Sequence, residues 1–402
     1  MAKYQSISFL EDLKQEELKN KKVLVRVDFN VPLDDDLQVR DDTRIVAALD
    51  TIRYLLLSDC VIILMSHLGR PKGEISDKMR LSPVAEYLEK LLQKRIIKLA
   101  DCIGEKVQKT VSKLKSREIV LLENLRFHKE EEKNDPAFAR QLASLADIYV
   151  NDAFGAAHRA HASTTGVASF LPSYAGFLMV KEVNALDKLL SEPERPFISI
   201  IGGAKVSDKI EILDSLVNIC NSLLIGGGMA YTFLAAQGYE VGQSILEKDF
   251  IKYVEKITKE AKKNNKEIVL PIDTIVSREF KADTKSFNVP IEKFEPDMIG
   301  MDIGENTINL FNQKIDNART IFWNGPLGVF EMEKFAQGTN RIARKIASLW
   351  GNTYSVVGGG DSIAAINKIG LADRISHIST GGGASLEYLG GKKLPGLEVL
   401  RK

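Results

Sequence analysis

The sequence predicts an α/β protein of two similar-sized domains, each a parallel β-sheet covered by helices on both faces, joined by a hinge helix. Three observations predict it. Short β-branched runs alternate with segments whose apolar residues recur at helical spacing, the pattern of parallel strands with crossover helices. Four of the runs in one half end in glycine-rich turns that lead into helical patterns, and a helical stretch closed by two prolines divides the chain near its middle. Together they describe a Rossmann-like three-layer architecture, used twice.

Length and composition agree. A chain of 402 residues exceeds one ordinary core and suits two. Hydrophobic content of 44% and charged content of 27% are those of a globular protein. With 55 basic and 54 acidic residues the formal charge is +1, so no global field favours nucleic acid or a membrane surface. The longest aliphatic run, residues 61–65, is far short of a bilayer span, and Met1-Ala2-Lys3-Tyr4-Gln5 leads into no signal-peptide core, so a cytoplasmic location is expected. Cys60, Cys102 and Cys220 match neither a zinc spacing nor a disulfide framework. Buried, reduced thiols are expected, and no structural metal.

In the first half, Val23-Leu24-Val25-Arg26-Val27 stops at Asp28-Phe29-Asn30, Val61-Ile62-Ile63-Leu64-Met65 at Ser66-His67-Leu68-Gly69-Arg70, Ile119-Val120-Leu121-Leu122 at Glu123-Asn124-Leu125-Arg126, and Ile148-Tyr149-Val150 at Asn151-Asp152. Helical patterns over 45–57, 83–92 and 138–146 lie between them. Ligands of open α/β sheets sit beyond the carboxyl ends of the strands, so these loops should converge. Arg44, Arg70, Arg126 and Arg159, with His67, His158 and His161, then form a basket for a small, highly charged acid, because guanidinium forks hold phosphate and carboxylate bidentately. Singly, each has a structural explanation, such as a solvated arginine or a turn-capping Asp28 or Asn30. No Gly-x-Ser-x-Gly element accompanies the basket.

The connector follows. Lys181-Glu182-Val183-Asn184-Ala185-Leu186-Asp187-Lys188-Leu189-Leu190 is helical in period and is closed by Pro193 and Pro196. The expected domains are 1–181 and 196–390, with a hinge at 182–195.

In the second half, Ile198-Ser199-Ile200-Ile201 runs into Gly202-Gly203-Ala204-Lys205, Leu223-Leu224-Ile225 into Gly226-Gly227-Gly228, Val356-Val357 into Gly358-Gly359-Gly360-Asp361-Ser362, and His377-Ile378-Ser379-Thr380 into Gly381-Gly382-Gly383. Residues 268–273 and 320–323 read as further strands, the latter entering Asn324-Gly325-Pro326-Leu327-Gly328. One glycine triplet is commonly just a tight connection. Four at the ends of parallel strands point to phosphate, because glycine lets backbone N–H groups approach an anion and a helix N-terminus adds partial positive charge. Asp361 could hold the accompanying metal. Lys205 and Lys209, at i and i+4 across an expected helix start at 206–210, would share one side. Neither Gly-x-x-x-x-Gly-Lys-Ser/Thr nor a complete Gly-x-Gly-x-x-Gly is present.

These motifs, with Ser66 to Pro71, Glu123 to Phe127, Ala153 to Ser163 and Trp323 to Glu331, resemble phosphoglycerate kinases from about residue 7 to the C-terminus. The resemblance implies reversible phosphoryl transfer from 1,3-bisphosphoglycerate to Mg-ADP, giving 3-phosphoglycerate and ATP, by a monomer. It implies that Asp28, Asn30, Arg44, His67, Arg70, Arg126 and Arg159 hold the glycerate. It further implies that Gly203, Lys205, Lys209, Gly227, Gly228, Asn324, Pro326, Gly328, Glu331, Gly358, Gly359, Gly360, Asp361 and Ser362 surround the nucleotide, with Asp361 toward magnesium. Arg44, Lys205, Lys209 and the N–H groups of Gly381, Gly382 and Gly383 would stabilise the moving phosphoryl group. The C-terminal segment, about 391–402, would return to the first domain. Two other readings remain at this point: a non-catalytic nucleotide-dependent scaffold, and a two-domain dehydrogenase whose basket holds a hydroxy acid.

Overall fold

The computed structural model of the chain describes residues 7–401; Met1-Ala2-Lys3-Tyr4-Gln5, from which the absence of a signal core was read, and Lys402 lie outside that range. The chain divides into two compact units, Met1–Asn184 with Lys393–Lys402, and Ala185–Lys392. Among the described residues no helix is long and apolar enough to cross a membrane.

The first unit holds six parallel strands, β1 (Lys22–Arg26), β2 (Val61–Met65), β3 (Ile96–Lys98), β4 (Ile119–Leu121), β5 (Ile148–Asn151) and β6 (Ser173–Ala175), in the order β3-β4-β2-β1-β5-β6. Alternate residues face opposite sides of a strand, and both sides here are covered. Val23, Val25, Ile62, Leu64 and Leu121 pack on one side with Ile52, Leu55, Val84 and Leu88 of the helices Leu49–Leu57 and Ser82–Leu92. Leu24, Ile63, Val120 and Tyr149 pack on the other with Val107 of Glu105–Val111 and Leu142 of Pro136–Ala143. Double coverage is why these strands are uninterrupted apolar runs rather than alternating ones. After β1 the chain builds outward through β2, then returns to the other side of β1 as β5, which puts the switch in strand order at the carboxyl end of β1.

Residues near the C-terminus belong to this unit. Gly396 N donates to Ala157 O at 2.9 Å, Asn151 Nδ2 to Gly396 O at 3.2 Å, and Ser8 N to Leu400 O at 2.9 Å.

The helix Phe177–Leu190, which carries the chain from one unit to the other, begins four residues before the periodic stretch suggested. Buried Asp152 explains the early start: its Oδ1 accepts from the N–H groups of Leu178 and Met179 at 2.9 and 3.2 Å, satisfying first-turn donors. Burial pushes this carboxyl up to about 6. The folded state therefore keeps a proton that the unfolded chain releases near pH 4, so this group's contribution, about 3 kcal/mol, is full below pH 4 and is lost as pH rises through 6. Asp152→Asn is expected to abolish that decline. Urea unfolding at pH 4.5 and at about pH 7 measures it; equal declines in parent and variant would exclude Asp152 as the source.

The second unit carries β7 (Phe197–Ile201), β8 (Ser222–Ile225), β9 (Glu267–Val269), β13 (Thr320–Asn324), β14 (Tyr354–Gly358) and β15 (His377–Ile378) in a parallel sheet of order β15-β14-β13-β7-β8-β9, whose switch lies between β7 and β13. Its core includes Ile198, Ile200, Ile321, Trp323 and Val357 with Phe311 and Ile342.

Three readings change. Residues 268–273 are not one strand: the chain leaves the parallel sheet after Val269, and β10 (Asp273–Ser277) pairs antiparallel with β11 (Ser286–Pro290) and β12 (Ile299–Ile303) in a separate three-stranded sheet. Pro271 has no N–H to continue the ladder. The predicted helix over 45–57 is two, Thr43–Ala47 and Leu49–Leu57. Residues 207–209 form a 3-10 turn, and the helix starts only at Ile210, so Lys205 and Lys209 do not share a helix face.

Candidate active site

At the carboxyl end of β1, the switch point of the first sheet, the basic groups converge. Arg44, on the short helix Thr43–Ala47, pairs with buried Asp28 at 2.5 Å. The other Asp28 oxygen lies 3.8 Å from His67 Nδ1. Arg126 donates to Gly69 O at 2.8 Å and faces Glu132 at 3.2 Å. Asn30 uses its carbonyl oxygen to receive Gly69 N at 2.8 Å, which orients its amide N–H₂ outward as the available donor. Arg159 lies half-buried, donating to His158 Nε2 at 3.1 Å. Arg70 is exposed at its strand end.

Missed in the sequence was Arg26. Its guanidinium is fully buried, 3.0 Å from His67 Nδ1 and donating to Ser163 Oγ at 2.8 Å, while Ser163 donates to buried Glu131 at 2.5 Å. An arginine inside an apolar run covered on both faces was the available signal, since such a charge is retained only with partners.

The electrostatics show how tightly the cations are gathered. Burial, then Arg26, Arg126, Arg44 and Arg159, hold His67 well below the ordinary imidazole range. His161 is pushed down to about 3 by burial and by Arg126, Arg26 and Arg159. Arg126 itself is lowered to about 10, chiefly by burial. Both histidines are therefore neutral near pH 7, and the net character of the loop cluster is that of an anion receptor.

At the switch point of the second sheet, three strand-end turns interleave. Gly202 N donates to Asn324 O, and Gly203 N to Pro326 O, both at 2.9 Å; Gly227 N donates to Leu327 O at 3.0 Å. A Cβ on Gly202 would stand 2.1 Å from Pro326 O, and one on Gly227, at φ +66°, would stand 2.7 Å from both Gly203 N and Gly203 O. Backbone is stacked on backbone, and only glycine fits. These N–H groups are consumed within the turn stack. The helix Gly360–Lys368 has no side-chain cap, leaving the first-turn N–H groups of Gly360, Asp361 and Ser362 without helical partners.

Ser362 is buried, and its hydroxyl receives Gly325 N at 2.7 Å, so it pins a turn. In the fourth glycine set, Gly381 N donates to Ser379 Oγ at 3.2 Å, which leaves Gly382 and Gly383 at the start of Gly383–Leu389. Lys209 donates to the side chain of buried Asn324, and its pKa is lowered by burial against the opposing charges of Asp208 and Asp361. Lys205 is exposed.

A cavity of about 450 Å³ opens beside these turns. Gly203, Gly227, Gly228, Pro326, Gly328, Glu331 and Asp361 are among its lining residues. Its apolar walls, Tyr231, Ile245, Phe280, Ile299, Met301 and Val329, were not anticipated, because several come from or abut the antiparallel sheet. Gly358, Gly359, Gly360, Asn324, Lys205 and Lys209 are not among its lining residues. A polar rim and an apolar wall suit a ligand with a phosphate end and a flat heterocyclic end.

The family model for phosphoglycerate kinase matches residues 11–392. Phosphoglycerate kinase of Moorella thermoacetica is 55% identical over 388 residues, covering 96% of this chain and 98% of its own. That of Dictyoglomus turgidum is 56% identical over 390 residues, covering 97% and 98%. The structure of phosphoglycerate kinase from Coxiella burnetii aligns over 98% of both chains with a TM-score of 0.86 at 38% identity. By sequence over nearly its whole length, and by a fold that matches throughout, the chain belongs to the phosphoglycerate kinase family.

Proposed function

We infer that the chain catalyses reversible phosphoryl transfer between 1,3-bisphosphoglycerate and ADP, the 3-phosphoglycerate and ATP-forming step of glycolysis, reversed in gluconeogenesis. One observation carries the reading: in a chain of this family, the four arginines that depress His67 meet at the switch point of a parallel sheet, where no metal or nucleophile is needed to explain them.

In the proposed assignment Asp28, Asn30, Arg44, His67, Arg70, Arg126 and Arg159 hold the glycerate phosphate and carboxyl end, with Arg26 fixing His67 from beneath. Gly203, Gly227, Gly228, Pro326, Gly328 and Glu331 surround the nucleotide, and Gly358, Gly359, Gly360 and Ser362 shape the phosphate end. An oxygen of the ADP β-phosphate attacks the acyl-phosphate phosphorus, the phosphorus–acyl oxygen bond breaks, and its electron pair leaves on the carboxylate of 3-phosphoglycerate. A carboxylate leaving group needs no proton, which fits neutral, buried His67 as a binder rather than an acid. Arg44, Lys205, Lys209 and the N–H groups of Gly382 and Gly383 stabilise charge on the phosphoryl oxygens.

The exposed carboxylate of Asp361 lines the cavity, and magnesium is commonly held by one or two carboxylates plus substrate phosphates, so these residues fit the ion. Bound there, magnesium neutralises phosphate charge.

Bending about residues 182–195 would bring the two ligands in line and exclude water. A monomer in the cytoplasm is the proposed working form. ATP consumption with 3-phosphoglycerate and magnesium tests the activity, and small-angle scattering of free and doubly liganded protein tests the motion and the mass. Binding of both ligands without turnover would overturn the activity. Superimposable scattering curves would overturn the bending.

A further inference from the structure

Three donors of different chemistry meet outside the basket and the cavity. A carboxylate oxygen of Asp101, the thiol of Cys102 and a ring nitrogen of His128 all lie within 4.8 Å of one another. They come from two loops brought together by the sheet: Asp101 and Cys102 follow β3, His128 follows the 3-10 turn Leu125–Phe127 after β4, and β3 and β4 run parallel in register with Lys98 opposite Leu121. The loops are tied to each other by Glu123 N donating to Asp101 O at 3.3 Å, and within the first loop Cys102 N donates to Asp101 Oδ1 at 2.7 Å. Phe138 packs against the His128 ring at 5.3 Å between centroids.

We propose that Asp101, Cys102 and His128 bind a divalent cation of the zinc class, with solvent in the fourth position. Thiolate, imidazole and carboxylate together select zinc-like ions over magnesium or calcium, which prefer oxygen alone. Nitrogen and oxygen ligands on a tetrahedral ion at zinc distances stand roughly 3.4 Å apart. His128 Nε2 and Asp101 Oδ1 are 2.7 Å apart, so less than about 1 Å of opening replaces their shared proton with an ion. Access is from the exposed Asp101 side, while buried Cys102 closes the inner face. Asp101, Glu131 and Glu123 all bear on the thiol, whose proton is held by burial and by these charges, while Lys98, Arg80 and His128 are the cations nearby. An entering ion displaces the Cys102 proton to solvent, together with the imidazole proton where His128 is charged. Cysteine spacing alone could not reveal the site: it holds one cysteine, and Asp101 and His128 are 27 positions apart.

The test is titration of the reduced full-length protein with cobalt(II), without nucleotide, reading the thiolate-to-cobalt charge-transfer band, proton release, and displacement by zinc. One equivalent of cobalt with both signals is expected. The band should vanish in Cys102→Ser and persist in Cys60→Ser and Cys220→Ser. His128→Ala and Asp101→Asn should each weaken cobalt binding by at least about 10-fold, and they keep the test decisive should Cys102→Ser fail to fold. No band in the parent, a band that survives Cys102→Ser, or unchanged affinity in both partly exposed variants would overturn the proposal. Turnover is not a readout, so the assay of the proposed function stands or falls separately.

Discussion

Arg44→Ala is expected to lower kcat by about two to three orders of magnitude, the loss seen when one preorganised charge stabiliser is removed. Of the other basket cations, Arg26 and Arg126 are buried and hydrogen-bonded to the protein, while Arg70 is exposed and makes no ion pair with Asp28. Arg44 has a side chain 31% exposed and a single carboxylate partner, so it is the cation that can exchange Asp28 for a transferring phosphoryl group. The truncation also leaves the buried Asp28 carboxylate without its cation, which costs on the order of 1–3 kcal/mol of stability. The urea midpoint should therefore fall modestly, while turnover of the folded variant collapses. Arg44→Lys should recover only part of the loss, since an ammonium keeps the charge but not the bidentate fork. Initial rates with ATP and 3-phosphoglycerate decide it: a loss below tenfold in Arg44→Ala would remove this residue from the transfer step.

Arg26→Ala is expected to destabilise the first unit by about 3–5 kcal/mol, the cost of leaving one member of a buried ionic network without its partner. Arg26 and Glu131 are both fully buried and joined through Ser163, which accepts from the arginine at 2.8 Å and donates to the carboxylate at 2.5 Å. Glu131 pays for its burial with a raised pKa, which Arg26 and Ser163 hold in check. Without the guanidinium, Glu131 must take up a proton or open the loop. The double variant Arg26→Met with Glu131→Leu should regain much of the lost stability, because it removes both charges together, while activity stays low through the loss of support for His67. Urea denaturation of the two single variants and the double variant measures the coupling. Additive losses would mean that the two charges do not act as a network.

Much of this was legible in the chain. The doubly covered parallel sheets followed from β-branched runs and helical periods, and the nearness of His67 and Arg126 followed from asking which residues come just after each strand. The glycine turns lie at the strand ends where the sequence put them, and the structure adds a packing role the sequence did not show. Gly202, Gly203 and Gly227 direct their N–H groups into carbonyls of residues 324–327, so their permissive geometry serves backbone stacking. A glycine motif states that something comes close; it does not state whether that is a ligand or another turn. Lys205 and Lys209 share no helix for a local reason, since Lys205 precedes the short 3-10 turn Ser207–Lys209 and the α-helix starts only at Ile210.

By itself the sequence determined what depends on near neighbours: strand and helix periods, the residues at strand ends, and membership of a family carried by contiguous motifs. Only the tertiary structure decided what depends on distant pairs. Arg26 finds Ser163 at 137 positions' separation, Asp152 receives the helix that starts 25 residues later, and His128 meets Asp101 across two loops. The antiparallel sheet that supplies much of the cavity wall is of the same kind, its largely exposed strand β11 being fixed by its pairing with β10. The physical reason is common to all of these. Periodicity records which side of a strand or helix leaves water, whereas the partner of a buried charge is chosen by where the folded chain brings an opposite charge or a donor within about 3 Å, a choice written in no single stretch of residues.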